Sequence, residues 1–135
     1  MKYTRIGFLV LFIVSFGIAS TPNDNIAPAD WDNAKKAYIL QLSVNNPGVK
    51  TSAANFIRKY NIVEAADALK EILVCDNCDA VKVSAALALI QISGEDGLKA
   101  IKSAMLTEES DLIVAFYTAI LHADAEKNEA PISKN

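Results

Sequence analysis

The chain has 135 residues, 52% of them hydrophobic and 21% charged, with a formal net charge of -3. That length supports one modest core and gives no reason to expect two independent domains. No cluster of Lys or Arg is dense enough to neutralise a run of phosphates, which argues against nucleic acid or an anionic membrane surface as a partner.

Lys2 and Arg5 precede an apolar run from Ile6 to Phe16 that only Gly7 and Ser15 interrupt, and Gly17-Ile18-Ala19 puts small residues where a signal peptidase inspects the chain. Residues 1–20 therefore read as an export signal, cleaved after Ala19 or Ser20. The apolar segment from Ile6 to Ala19 is 14 residues long, short of the roughly 20 that a spanning helix needs. No stable membrane insertion is expected after cleavage, and the destination is periplasmic or secreted. Because Lys2 and Arg5 leave with the signal while all 16 acidic residues stay, the formal charge moves from -3 to -5. Residues 21–29 hold Pro22 and Pro28 and read as an extended leader.

Six helices are expected beyond it. The first starts at Asp30 as N-cap and carries Trp31, Ala34, Tyr38 and Leu42 at spacings of three and four. Asn45-Asn46-Pro47-Gly48 ends it, with Asn46 as the next N-cap and Pro47 in the first helical position, where a missing N–H costs nothing. The second helix, 47–60, should bury Val49, Ala53, Phe56, Ile57 and Tyr60. Asn61-Ile62 leads to the third, 63–74, with the stripe Ala66, Leu69, Ile72 and Leu73. So short a connection folds the two helices back antiparallel. The fourth, 79–93, is apolar without a break from Ala85 to Ile90 and belongs in the middle of the structure. Gly94 ends it, Glu95 and Asp96 favour the start of the fifth, and the sixth, 111–122, carries Ile113, Phe116, Tyr117, Ile120 and Leu121. Residues 123–135 read as a frayed, flexible tail.

These helices repeat. Val49-Lys50-Thr51-Ser52-Ala53-Ala54 answers to Val81-Lys82-Val83-Ser84-Ala85-Ala86, and Ala68-Leu69-Lys70 answers to Ala100-Ile101-Lys102, at an offset of 32 positions. A fixed period in this range marks stacked supersecondary units, none of which can bury its apolar face alone. The same offset carries Val81 and Leu89 to Ile113 and Leu121, and carries Val63 back to Trp31. The chain is thus two whole helical hairpins flanked by a half unit at each end, with Trp31, Tyr38, Phe116 and Tyr117 suited to capping the stack.

The segments Asn46-Pro47-Gly48-Val49-Lys50 with Ala53-Ala54, and Asp79-Ala80-Val81-Lys82 with Ala85-Ala86 and Leu89, resemble the HEAT repeat over residues 46–122. The likeness is to the short HEAT-like repeats of phycobilin lyases, in which a Val-Arg pair and small residues mark the first helix. A turn rich in Gly and Asp leads to the second, as Ser93-Gly94-Glu95-Asp96-Gly97 does here. The chain departs in having Lys50 and Lys82 for Arg, and in lacking the Gly-Asp turn at Asn61-Ile62, where a different bend is expected. The resemblance implies an all-α fold over 30–122, a short right-handed α-solenoid of antiparallel hairpins with second helices on the concave side. It implies binding rather than catalysis. Asp67, Lys70 and Glu71 are in register with Lys99, Lys102 and Ser103, so a polar ladder along that side is the candidate binding face.

Cys75-Asp76-Asn77-Cys78 is the element with most chemical potential. Zinc needs further ligands and only His122 is on offer, heme attachment needs His where Asp79 stands, and a thioredoxin-like site needs a strand before the first cysteine. A structural disulfide between Cys75 and Cys78 fits an oxidising destination. His122 reads as a surface residue at a helix end, and Glu108, Glu109 and Asp111 as capping residues. No catalytic residue, metal or cofactor is expected. The sequence reads as a non-catalytic module for a protein or peptide partner. The alternatives are a thiol–disulfide exchange protein using Cys75 and Cys78, or a structural accessory subunit of a larger assembly.

Overall fold

The structure, a computed structural model, describes residues 28–129. The expected signal, residues 21–27 of the leader and residues 130–135 of the tail lie outside the described residues. Helix α1 spans Pro28–Gln41 and α2 spans Pro47–Tyr60; a 3-10 turn at Val63–Ala65 runs into α3, Ala66–Cys75; α4 spans Asp79–Met105 and α5 spans Asp111–Glu129. The fold is all-helical, with no strand among the described residues.

Five helices stand among the described residues where six were expected, because the fourth and fifth run together as α4. Helical hydrogen bonding brackets a break at Gly94, whose φ of 49° and ψ of -119° suit the first central position of a type II′ turn. The chain reverses there. A Cβ on buried Gly97 would lie 2.7 Å from the carbonyl oxygen of Leu89, whereas those residues would sit about 12 Å apart along an unbroken helix. The arms 79–93 and 95–105 therefore fold back on each other. Between α2 and α3 the left-handed residue is Asn61 (φ 52°), and the Ile62 N–H donates to the Ile57 carbonyl at 3.0 Å, a Schellman-type ending; α3 packs on α4, and the antiparallel packing of α2 on α3 expected from the short connection is not among the main contacts. The bends at Asn61 and at Gly94 thus differ.

Helix starts follow local chemistry. Asn46 Oδ1 accepts from the Val49 N–H at 3.1 Å with Pro47 next in the chain, as the sequence indicates. Asp30 is not the N-cap of α1, which begins at Pro28; proline is already set for a first helical turn, so Asp30 falls inside it.

Helices α2, α3 and α5 all pack on α4, and α1 packs on α2. Val81, Ala85, Ala86, Ala88 and Leu89 on the first arm of α4 are wholly buried, so this arm is central. Around it lie Ala53, Ile57, Leu69, Leu73, Ile101 and Ile113, also buried. Phe56 departs from expectation at 39% exposed. It stacks between Tyr38 (5.1 Å) and Tyr60 (6.1 Å), with Trp31 edge-on to Tyr60 at 5.4 Å, so these rings form a row across α1 and α2. Tyr117 is fully buried where the register places Ala53 and Ala85.

The tail is corrected at 123–129, which continues α5. Ala, Glu and Lys there favour helix, and an Asn128 to Asp124 hydrogen bond (3.3 Å) and the approach of His122 to Glu126 (3.5 Å) add i,i+4 links. His122 is accordingly exposed in mid-helix, away from any helix end.

Candidate functional site

Lys50 and Lys82 each stand in the first turn of their helices, and each reaches a carboxylate 26 residues further on. Lys50 Nζ donates to Asp76 Oδ2 at 2.5 Å and Lys82 Nζ to Glu108 Oε2 at 2.6 Å. The second oxygen of each carboxylate serves the chain that follows. Asp76 Oδ1 accepts from the Cys78 N–H at 2.9 Å; Glu108 Oε1 accepts from the Glu109 and Ser110 N–H groups at 3.1 and 3.0 Å. Each carboxylate thereby ties the first helix of its hairpin to the turn that launches the next helix.

The side chains of Asp76 and Glu108 are 7% and 4% exposed. Burial pushes both carboxyls up, but hydrogen bonds from the paired lysine and from backbone N–H groups outweigh it, leaving both below the ordinary carboxylate range. They are charged acceptors at neutral pH. The sequence reading took Glu108 as a cap and missed both pairs. The available signal was that Asp76 and Glu108 are both acidic at one register position, as Lys50 and Lys82 are both cationic at another.

Each pair lies in a cleft. The first, of ≈ 250 Å³, has Leu42, Lys50, Glu71, Cys75 and Asp76 in its wall. The second, of ≈ 350 Å³, has Val74, Lys82, Thr107 and Glu108 at the matching positions, with Asp79, Glu109 and Ser110 alongside. Leu42 and Val74, Lys50 and Lys82, Cys75 and Thr107, and Asp76 and Glu108 are four pairs one period apart, so the clefts are copies at successive inter-hairpin turns. The second is the more acidic. Ser110 Oγ donates to Asp79 Oδ2 at 2.9 Å, closing its far side.

Of the expected polar ladder, Glu71 alone enters a cleft. Asp67, Lys99, Lys102 and Ser103 are exposed and Lys70 half-buried; Lys70 Nζ approaches Asp67 at 3.4 Å, and Lys99 approaches Asp96 at 3.3 Å. These i,i+3 contacts on an open surface contribute little. Cys75 closes α3, exposed, and Cys78 stands half-buried at the N-cap of α4, the two sulfurs unbonded. By register Cys78 matches Asn46 and Ser110, whose side chains accept from Val49 and Ile113 N–H groups, but its own makes no capping hydrogen bond. The Tyr117 hydroxyl is buried with no hydrogen-bond partner among the described residues. Burial first, then the charges of Glu108 and Asp79, push its ionisation well above the ordinary phenol range.

Among the described residues no three His, Cys, Asp or Glu side chains are placed to hold a metal ion, and no helix is long and apolar enough to cross a membrane. Comparison with family models, with curated proteins and with solved structures finds no match to the chain.

Proposed function

We propose that the chain is an exported, non-catalytic scaffold for a protein or peptide partner, built as a short right-handed α-solenoid of HEAT-like hairpins. The observation that carries this reading is the recurrence of one cleft at two successive turns, with four wall positions in register. A surface that repeats with the backbone suits an extended polymer whose own spacing repeats, and a polypeptide is such a ligand. Glu71 beside the first cleft and Asp79 and Glu109 beside the second favour a basic segment. Panning a random peptide library against the protein tests this. The reading expects enriched basic, extended sequences whose binding falls at least tenfold in Glu109→Lys; enrichment indifferent to Glu109→Lys and Glu71→Lys, or no enrichment, contradicts it.

A second reading, thiol–disulfide exchange, draws on the exposed position of Cys75 beside the first cleft. A reduction potential below about -300 mV for the Cys75–Cys78 couple would mark a structural bond and dispose of it. Export is tested by the mass of the natural protein, which the proposal places at a chain beginning with Ser20 or Thr21.

A further inference from the structure

We propose that the second cleft is a pocket for one arginine side chain of the partner, the aliphatic stem lying on Val74 and the guanidinium between Asp79 and Glu109. This rests on the scaffold reading above and narrows it to one side chain at one turn.

The two clefts share a lysine–carboxylate pair and differ in the rest of the wall. Asp79 and Glu109 stand beside the second; one period earlier the same positions hold Pro47 and Asn77, neither of them charged. Lys82 is taken up by Glu108 and Lys50 by Asp76, and among the described residues no cation pairs with Asp79 or Glu109. The second cleft therefore carries two uncompensated carboxylates. Ser110 Oγ holds one of them, Asp79, in place at 2.9 Å. The apolar wall differs as well: Leu42 in the first cleft is 3% exposed, and its counterpart Val74 in the second is 60% exposed. Open apolar surface beside unpaired carboxylates matches a cationic head on a hydrocarbon stem. A bare metal ion is the poorer match, since among the described residues no three acidic, His or Cys side chains converge to hold one.

Tyr117 stands behind these carboxylates. Its ring is wholly buried, and its hydroxyl has no hydrogen-bond partner among the described residues. Long side chains lean toward the N-terminus of their helix, so on α5 this ring leans toward Ser110 and the cleft, and the charges of Glu108 and Asp79 both act on its hydroxyl. A buried hydroxyl left unpaired is costly, and the cleft is the polar space it faces. A guanidinium brings five N–H donors in a rigid plane, enough for Asp79, Glu109 and the phenol oxygen together. An ammonium brings three on a compact, strongly hydrated charge. The geometry thus favours arginine over lysine.

NMR titration of the protein, with its natural N-terminus, against Nα-acetylarginine amide tests this. The amides of Asp79, Glu109 and Ser110 and the ring of Tyr117 should shift together and saturate, while Ser43 and Glu71 of the first cleft stay in place. Nα-acetyllysine amide should bind more weakly, and Glu109→Gln should weaken arginine binding by about fivefold, the worth of one exposed ion pair. Tyr117→Phe should weaken it too while the urea midpoint holds or rises, because the change deletes an unpaired hydroxyl; if that variant does not fold, Glu109→Gln decides. Shifts that never saturate, that the lysine compound reproduces with equal affinity, or that Glu109→Gln leaves unchanged overturn the proposal. Basic peptides from panning that the arginine compound cannot displace would strike this pocket alone. Saturable arginine binding here with no peptide enriched would uphold the pocket and strike the scaffold reading.

Discussion

Lys82 keeps its ammonium in a site where its side chain is 10% exposed and that of Glu108 only 4%, whereas the Lys50 side chain is 21% exposed. Removing one partner of a buried pair leaves the other charge without compensation, so Lys82→Met should cost about 3 kcal/mol in urea unfolding. Lys50→Met should cost less, because water can reach the Asp76 left behind. The same carboxylates shape the acid limb of stability. Their folded pKa values lie below the unfolded ones, so the unfolded chain binds more protons between the two values and stability falls with pH there. The contribution is fully present above the unfolded values of about 4 and is lost as pH falls through the lowered folded ones. Asp76→Asn with Glu108→Gln should flatten stability between neutral pH and the acid transition, while an unchanged acid limb would remove the pairs from this role. Cys78 offers a test whose sign reports redox state. With reductant, Cys78→Ser supplies the oxygen cap that Asn46 and Ser110 have, and should add about 0.5–1 kcal/mol. In oxidised protein carrying a Cys75–Cys78 bond the same change should instead cost up to about 2 kcal/mol.

At the level of elements, the two reversals show what a sequence tells about a hairpin. Gly94 was legible as a breaker because glycine is punctuation in an otherwise apolar helix. The role of Gly97 was not legible, since its need comes from the carbonyl of Leu89 across the hairpin and no local pattern reports such an approach. Gly97→Ala should therefore cost about 1–3 kcal/mol by forcing the arms apart, despite alanine's better helix propensity. In the first hairpin Ala65 occupies the equivalent place, so Ala65→Gly should cost only about 1 kcal/mol. A gain in stability from Gly97→Ala would contradict the close crossing at Leu89. The far end of α5 was misread for a related reason: charge density suggested a tail, but Ala123, Ala125, Glu126 and Lys127 are helix formers, and i,i+4 neighbours help to carry the helix on to Glu129.

For the whole molecule, the 32-residue period was the legible fact. Asn46, Cys78 and Ser110 stand at the starts of α2, α4 and α5, and Lys50–Asp76 and Lys82–Glu108 span equal lengths of chain. The clefts escaped notice because their walls come from turn residues far apart in sequence, and of the expected binding ladder Glu71 alone reaches one. Tyr117 shows the limit of periodicity: the register calls for alanine, yet a ring fills core space there. The most direct measurement is an experimental structure of the protein in which residues 47–60 are superposed on 79–93, and 79–93 on 111–125. The account predicts that one rotation and translation describes both steps, with Lys50–Asp76 and Lys82–Glu108 formed alike. Unrelated operations, with the helices wrapped about a common bundle axis, would contradict it.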